Sequence, residues 1–413
     1  MKIRNVQDVA AWRLCSGCGA CAYICPEKKI KLLDFLNDGI RPVFETNGCE
    51  SCYECLKVCP GYETKHLNFN GSTESIPKLS KNWGPILEIW EGYASDPEIR
   101  FNGSSGGLAT ALSLYCLERE GMHGVLHIGP DPNFPLKNKT VLSKDREELL
   151  SRTGSRYSPA SPCDSLDKIE EAPRPCVFIA KPCDVAGLRK AQILRPDLDK
   201  KVGAAIGIFC AGTPSTQGTI DLLGRLGVNS EKVEKIRYRG KGWPGQATAR
   251  VKGQKVSSYK TSYQESWGFL QKYRPYRCFL CPDGTSEFAD ISCGDPWYRD
   301  IGKNDPGYSL VLIRTERGRE IIRGAIETGY VHLEQADHLI LEKSQKNLLS
   351  KRKAVWGRLI GFRILGLPSP RFEGFSLFSS WLDLTLKEKL RSFLGTIKRI
   401  FQRKYYLPIK FSR

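Results

Sequence analysis

Residues 15–29, CSGCGACAYICPEKK, and residues 49–63, CESCYECLKVCPGYE, carry the same cysteine pattern twice near the start of the chain. Each copy reads Cys-x-x-Cys-x-x-Cys-x-x-x-Cys-Pro, the run with which short loops wrap cubane iron–sulfur clusters. Three thiolates of a run bind one cluster, and the fourth, placed before the proline, reaches the neighbouring cluster. The doubled run therefore predicts two [4Fe–4S] clusters in a small α+β module that resembles a bacterial ferredoxin.

The exchange of the fourth cysteine divides these eight thiols into two sets. The first set is Cys15, Cys18, Cys21 and Cys59, and the second set is Cys49, Cys52, Cys55 and Cys25. Gly17 and Gly19 allow backbone N–H groups to approach the cluster sulfides, which tunes the reduction potential. A pair of structural zinc sites is the alternative, but zinc ligands come as separated Cys-x-x-Cys pairs, so a third cysteine three residues on fits poorly.

The composition indicates a chain that works in a reducing compartment. Its 413 residues allow two or three domains, and 40% hydrophobic with 26% charged residues is ordinary for a globular protein. No uninterrupted apolar run predicts a membrane helix, and the N-terminus has no secretory pattern, so we expect a cytoplasmic protein. Sixteen cysteines there indicate metal or redox chemistry rather than disulfides.

Apolar strands alternate with helical segments after a polar stretch at residues 66–84 that is typical of a linker. We predict strands at 124–129, 176–181 and 202–210, a helix at 108–120, and a hairpin or meander over 233–262. This rhythm predicts an α/β domain with a largely parallel or mixed sheet. The predicted domains are the ferredoxin-like module (1–65), the main domain (85–345) and a basic, partly helical tail (346–413).

Four of the remaining cysteines have positions that suit a site. Cys183 and Cys210 lie where buried strands give way to the next segment, and the C-terminal strand ends of parallel sheets are where sites form. Cys278 and Cys281 form a Cys-x-x-Cys pair. Together they have the ligand number of a third cluster, although a lone Cys-x-x-Cys is equally half of a zinc site.

Several motifs of the main domain carry a resemblance to a known family. They are NGSSGGLATAL, GSRYSPAS, AKPCDVAGLRKA, IFCAGTPS, YRGKGWPG and RCFLCPDGTSEFADISCGDPW. In this order they resemble the coenzyme F420 hydrogenase/dehydrogenase beta-subunit family over roughly residues 84–345, with the ferredoxin motif fused in front. The resemblance implies an iron–sulfur flavoprotein whose residues 85–345 bind FAD and a [4Fe–4S] cluster and which moves electrons between a hydride carrier and clusters.

Carried onto this chain, the resemblance implies a third cluster and a flavin pocket. The third cluster is expected on Cys183, Cys210, Cys278 and Cys281, while Cys293 departs from the family pattern and is a spare thiol or an alternative ligand. The residues implied for FAD are Asn102, Gly103, Ser104, Ser105, Gly106, Gly107, Ser155, Arg156, Tyr157, Arg239, Lys241, Trp243 and Asp295.

The loop at 102–107 precedes a predicted helix, whose free N–H groups and positive dipole end suit the FAD diphosphate. Arg156 would supply a cation to a phosphate, and Tyr157 would supply a stacking ring. Without the resemblance, the loop would read as an ordinary capped loop and Arg156 as a surface charge. No G-x-G-x-x-G follows a strand, so the Rossmann fingerprint is absent and the family's own pocket must hold the flavin.

These features predict an oxidoreductase that exchanges a hydride at FAD, with coenzyme F420 or a similar carrier, for single electrons relayed through [4Fe–4S] clusters. The electrons would pass to a ferredoxin or to a partner redox subunit. The alternatives are a ferredoxin-dependent reductase of an organic substrate, including one in polysaccharide biosynthesis, and a non-catalytic electron-relay subunit of a larger complex. The sequence assigns no catalytic residue.

The C-terminal tail is strongly basic. Residues 351–413 hold 15 Lys and Arg residues against 3 Asp and Glu, which is most of the net charge of +18. Apolar residues recur at helical spacing within 381–404, so we predict an amphipathic helix that contacts an anionic membrane surface or a partner. The alternative is a helix packed on its own protein. Nucleic acid is not expected as a partner, because stacking aromatics and a known module are absent.

Overall fold

The centre of the molecule is a mixed sheet flanked by helices. The computed structural model describes residues 3–44, 52–66, 75–253, 259–302 and 305–412. The N-terminal elements are α1 (Val6–Ala11), α2 (Ala20–Ile24), β1 (Ile30–Phe35), β2 (Gly39–Phe44), α3 (Glu54–Lys57) and β3 (Glu63–Lys65).

The central region follows in chain order. Its elements are α4 (Pro77–Trp83), β4 (Glu88–Ala94), α5 (Pro97–Asn102), α6 (Leu108–Glu118), β5 (Val125–Pro130), β6 (Asn138–Ser143), α7 (Arg146–Ser151), α8 (Asp167–Glu170), β7 (Cys176–Ala180), α9 (Pro182–Leu194), α10 (Pro196–Lys201), β8 (Val202–Ile208), α11 (Thr216–Arg225), β9 (Val233–Arg237), β10 (Gln246–Val251), β11 (Tyr259–Ser262), α12 (Tyr263–Leu270), α13 (Tyr276–Phe279), β12 (Ile291–Gly294), β13 (Ser309–Ile313), α14 (Glu316–Glu327) and β14 (Val331–Gln335). The C-terminal elements are α15 (Leu339–Ser344), α16 (Lys346–Lys353), α17 (Val355–Ile364), β15 (Arg371–Glu373), α18 (Leu377–Leu382) and α19 (Leu386–Gln402).

The central sheet has eight strands in the order β14-β4-β13-β12-β8-β7-β5-β6. Neighbours among β12, β8, β7 and β5 are parallel, and the outer pairs are antiparallel. The strands β7 and β8 are nearly continuous apolar runs because helices cover both faces of a parallel sheet. The predicted α/β fold class is therefore confirmed, with a mixed sheet. The predicted hairpin or meander is a separate three-stranded antiparallel sheet of β11, β10 and β9.

The N-terminal module is docked tightly on the central domain. The backbone N–H of Cys163 donates to the carbonyl of Cys18 at 2.9 Å, and Ser161 Oγ donates to the carbonyl of Gly17 at 2.7 Å. Gly19 has φ +92°, and a β-carbon there would lie 2.7 Å from the backbone nitrogen of Asp164. Only glycine permits both this backbone conformation and this close approach.

The C-terminal tail wraps around the same module. Strand β15 pairs in parallel with β3, the backbone N–H of Ile409 donates to the carbonyl of Ala11 at 2.9 Å, and the Arg13 guanidinium donates to the carbonyl of Leu407 at 2.8 Å. One hydrophobic cluster joins Val9 of α1 with Phe362 and Ile400 of the tail. The predicted amphipathic helix lies at α19 and packs one of its faces on its own protein.

Candidate functional site

The first predicted thiol set lines a small cavity in the N-terminal module. Its walls include Cys15, Cys18, Cys21 and Cys59, which come from the loop before α2, from α2 itself and from the end of the segment after α3. All four side chains are buried. The backbone N–H of Gly17 also donates to Cys15 Sγ at 3.3 Å, as a glycine beside a cluster ligand is expected to do.

The electrostatics at Cys21 and Cys59 suit a bound cation. Burial raises the pKa of the Cys21 thiol well above its ordinary value, and the nearby thiols of Cys18, Cys15 and Cys59 act in the same direction. Burial likewise raises the pKa of Cys59 to about 12. Such thiols stay neutral unless a metal binds them, because a coordinating thiol loses its proton to the metal. The donor set therefore fits a thiolate-bound iron cluster.

The second predicted set is only partly within the described residues, because Cys49 lies outside them. Cys25 and Cys55 are buried and Cys52 is half-buried. The pKa of Cys21 is raised mainly by burial and by the three other thiols of the first set, and Cys55 adds a smaller effect in the same direction. The second set therefore borders the first. Over the described ranges, no three His, Cys, Asp or Glu side chains stand as ligands of one metal ion. A cubane needs a different arrangement, because each thiolate binds a separate iron.

The third predicted set is assembled from three distant segments. Cys183 lies in the first turn of α9, Cys210 follows β8, and Cys278 and Cys281 lie in and just after α13. Burial raises the pKa of Cys183 well above its ordinary value, and the thiols of Cys210 and Cys281 add to the effect. Burial raises the pKa of Cys210 to about 11, and the nearby thiol of Cys278 acts in the same direction. The structure thus brings these four side chains together.

Cys293 does not join this group. It lies within β12, between Ile208 of β8 and Val311 of β13, and belongs to the core beneath the sheet. Burial alone raises the pKa of its thiol to about 12, and no other cysteine contributes. This position matches the spare thiol rather than the alternative ligand that the sequence left open.

A buried polar cluster lies between the first and third thiol sets, and sequence reasoning missed it. Lys181 Nζ donates to both carboxylate oxygens of Asp184 at 2.6 Å, in the turn that carries Cys183. The Cys163 thiol donates to the carbonyl of Asp184 at 3.2 Å and also contacts Cys18. The signal was available in AKPCD, where a lysine precedes an aspartate by three residues at the start of a helix.

The loop at 102–107 contacts Ser155, which was also predicted for FAD, and three strands of the main domain. The backbone N–H of Ser155 donates to Ser104 Oγ at 2.6 Å, and the Arg237 guanidinium donates to the carbonyl of Asn102 at 3.0 Å. Gly106 is pressed against strands β4 and β13, and its N–H donates to Ser309 Oγ at 2.8 Å. The loop before α6 therefore meets the Ser155 loop and strands β4, β9 and β13.

Asp295 organises the next part of this region. Its carboxylate accepts hydrogen bonds from both terminal nitrogens of Arg239, at 2.7 and 2.9 Å, and from Trp243 Nε1 at 2.8 Å. Burial opposes the charge of Arg239, but Asp295 outweighs it and holds the pKa of the guanidinium well above its ordinary value. The Arg239 guanidinium lies 4.5 Å from the ring centre of Tyr263, which stacks on Trp297. An ion pair and aromatic rings thus form one packed unit.

Three predicted FAD residues have other surroundings. The Arg156 guanidinium donates to the carbonyls of Pro135 and Ile236, at 2.8 and 3.4 Å, and burial lowers its pKa. It is therefore satisfied by the protein itself. Lys241 is exposed at φ +60°, and the ring of Tyr157 packs 5.0 Å from that of Trp267.

An open cavity of about 290 Å³ lies beside this region. Its basic lining residues are Arg152, Arg156, Lys235, Arg237 and Arg250, and its acidic ones are Asp131 and Glu234. The cavity borders Ser155 but has no wall from residues 102–107 or 278–281. Its surplus of cationic side chains suits an anionic ligand.

The fold and the grouped thiols define a class of protein: an electron-transfer protein with a ferredoxin-like module docked on a mixed α/β domain. Two profiles of the coenzyme F420 hydrogenase/dehydrogenase beta subunit match the chain, the N-terminal one at 89–167 and the C-terminal one at 174–338. A 4Fe-4S dicluster domain profile matches residues 14–61. The chain belongs to the coenzyme F420 hydrogenase/dehydrogenase beta-subunit family and carries an N-terminal [4Fe–4S] dicluster domain, as the sequence motifs predicted.

Individual relatives agree with this assignment. Coenzyme F420 hydrogenase subunit beta of Methanothermobacter thermautotrophicus is 28% identical over 70% of this chain and 99% of its own length. Coenzyme F420-dependent sulfite reductase of Methanocaldococcus jannaschii is 26% identical over 84% of this chain and 52% of its own. These are names of oxidoreductases and their subunits, and the predicted oxidoreductase class is confirmed.

A solved structure also resembles the chain. A chain of the F420-reducing [NiFe] hydrogenase complex from Methanosarcina barkeri aligns with a TM-score of 0.54 at 25% identity, over 72% of this chain and 98% of its own. In the described residues, no helix is long and apolar enough to cross a membrane.

Proposed function

We propose that this protein exchanges a hydride at bound FAD for single electrons that pass through three [4Fe–4S] clusters. Coenzyme F420 or a similar carrier is the proposed hydride partner, which agrees with the names of the relatives. FAD accepts two electrons together and releases them singly, which is the chemistry that such an exchange needs. A ferredoxin or a partner redox subunit is the proposed acceptor or donor of the single electrons.

The observation that carries the proposal is the placement of two groups at adjacent strand ends. Cys210 follows β8, Asp295 follows β12, and these neighbouring strands are parallel. The backbone N–H of Phe209 donates to the carbonyl of Cys293 at 2.9 Å, which holds the two ends side by side. Ligands bind at the carboxyl ends of strands in such sheets. The third thiol set and the Arg239–Asp295 unit are therefore neighbours, as a cluster and a flavin that exchange electrons must be.

The residues proposed to hold the groups follow from these contacts. The first and second thiol sets would hold the two clusters of the 1–65 module, and Cys183, Cys210, Cys278 and Cys281 would hold the third cluster in the 85–345 domain. The loop at 102–107 and the Arg239–Asp295 unit would position the flavin. The arginine-lined cavity would take an anionic part of FAD or of the hydride carrier.

Protein purified without oxygen tests the proposal through its iron and flavin content. Three clusters predict about twelve iron atoms per chain, four for each cluster. The Cys55→Ser variant is expected to lose the iron of one cluster and to keep its flavin. Cys293→Ala is the matched control, because its thiol lies outside the three sets, and it should keep all iron.

The hydride partner is tested by reduction of the flavin with reduced coenzyme F420 and with NADH or NADPH. Bleaching of the flavin by one of these donors, followed by reduction of the clusters, is the expected result. Clusters without flavin would contradict the proposal and leave an electron-relay subunit. Full iron in Cys55→Ser would contradict the ligand assignment.

A further inference from the structure

Helix α19 leaves much of its apolar stripe uncovered, although it packs on the rest of the protein. The face it turns to α17 carries Ser392, Thr396 and Ile400, which are buried. A row of three leucines on the same helix faces solvent: Leu386 is 72% exposed, Leu390 48% and Leu394 52%. A surface helix normally buries its apolar stripe and exposes its polar face.

Small residues of α17 explain why α19 buries the face that carries Ser392 and Thr396. At Gly357 of α17, an added β-carbon would lie 2.2 Å from Ser392 Oγ, and at Gly361 it would lie 3.3 Å from Thr396 Cγ2. Close backbone approach at small residues is a packing mode of its own. Trp381 Nε1 donates to Ser392 Oγ at 3.0 Å and satisfies that buried hydroxyl. The inward face is therefore fully used, and the stripe of leucines is left for something else.

We propose that this stripe binds the surface of an anionic lipid bilayer. The stripe consists of Leu386, Leu390 and Leu394, which lie one helical turn apart, with Phe401 (56% exposed) continuing it. Capping by Thr385 and Glu388, each bonded to the backbone of the other, begins the helix just before the stripe. The helix can thus lie flat in the interface with its side chains among the acyl chains.

The charges beside the stripe favour lipid over a protein partner. Lys387, Arg391 and Lys398 are exposed on the helix next to the leucines, and the segment from 351 onward has 15 cationic against 3 anionic residues. Lysine and arginine flanking Leu and Phe are the composition of interfacial helices. Protein interfaces are depleted in lysine and depend on Trp, Tyr and Arg anchors. This inference does not rest on the proposed function.

Flotation of the full-length protein with lipid vesicles tests the proposal. Vesicles of phosphatidylcholine and phosphatidylglycerol in equal parts should carry the protein upward, whereas vesicles of phosphatidylcholine alone should carry much less. The double variant Leu390→Gln with Leu394→Gln should bind about a hundredfold more weakly, since each exposed leucine contributes about tenfold to partitioning. Leu339→Gln, at an equally exposed leucine of α15, is the matched control and should bind like the parent protein.

The three substituted leucines are exposed, so the unfolding midpoints of the variants should equal that of the parent protein. Measuring these midpoints controls for misfolding. Failure of the parent protein to float would overturn the proposal, and so would equal binding by the double variant. If the parent protein instead self-associates and the double variant does not, the stripe is a protein interface and the lipid assignment is wrong.

Discussion

Removal of the Asp295 carboxylate is expected to destabilise the central domain more than most single substitutions. Asp295 accepts two hydrogen bonds from Arg239, whose side chain is 3% exposed, and a third from Trp243. Asp295→Ala would leave the guanidinium of Arg239 buried without a counter-charge. Partners that would remain include the carbonyl of Pro244, at 3.0 Å, and the rings of Tyr263 and Trp297.

The size of the effect follows from the cost of an unpaired buried charge. Breaking one partner of a buried pair costs about 3–5 kcal/mol, and the Pro244 carbonyl places Asp295→Ala near the lower end. Asp295→Asn keeps an acceptor for Trp243 and loses only the charge, so about half of that cost is expected. For a domain of this size, 3 kcal/mol lowers the unfolding midpoint by about 5 °C.

Thermal unfolding under argon, followed by circular dichroism, measures this difference. A double-mutant cycle with Arg239→Met isolates the pair: Asp295→Ala should cost much less once Arg239 is absent. Strict additivity of the two substitutions, or a midpoint shift below about 2 °C for Asp295→Ala, would refute the assignment of Asp295 as the counter-charge.

Three further outcomes are expected from the described contacts. His127 is buried against Ser143, and burial, with Arg152, lowers its pKa to about 4, below the 6.5 of the unfolded chain. The free energy of unfolding is therefore full above pH 6.5 and falls by up to about 3 kcal/mol as the pH approaches 4. His127→Phe should remove this loss, which unfolding midpoints measured at several pH values would show. Gly106→Val would press a side chain onto strands β4 and β13, because even an added β-carbon would lie 2.7 Å from the carbonyl oxygen of Gly92. The ratio of flavin to iron should therefore fall. An unchanged ratio would show that the loop is not part of the flavin site. Lys181→Met leaves a buried carboxylate unpaired and should cost about 3–5 kcal/mol in urea unfolding, whereas the double variant with Asp184→Asn should recover most of it.

The parts of the fold that depend on local pattern were predictable from the sequence. The run CVFIA is apolar at every position, and only a strand covered on both faces tolerates this, so β7 could be recognised as a central strand. The doubled cysteine run predicted the four thiols that line the N-terminal cavity, because the spacing itself encodes the loop geometry.

Features that depend on long-range packing could not be predicted in the same way. Helical periodicity marked α19 as amphipathic, but the choice of buried face was decided by Gly357 and Gly361, about thirty residues earlier in the chain. The resemblance pointed to Arg156 as a cation for phosphate, which stays a prediction, and the structure adds that its guanidinium donates to the carbonyls of Pro135 and Ile236. No local pattern reports which carbonyls a folded chain will present to an arginine.

The spatial order of the thiol sets bears on how electrons would move. Cys55 of the second set borders Cys21 of the first set, and Cys18 contacts Cys163, whose thiol donates to the carbonyl of Asp184. Asp184 directly follows Cys183 of the third set, and that set neighbours the Arg239–Asp295 unit across adjacent strand ends. These contacts connect the first set both to the second set and, through Cys163 and Asp184, to the third set. If electrons follow these contacts, loss of the first set should slow electron transfer between the proposed second cluster and the proposed flavin while leaving both groups bound.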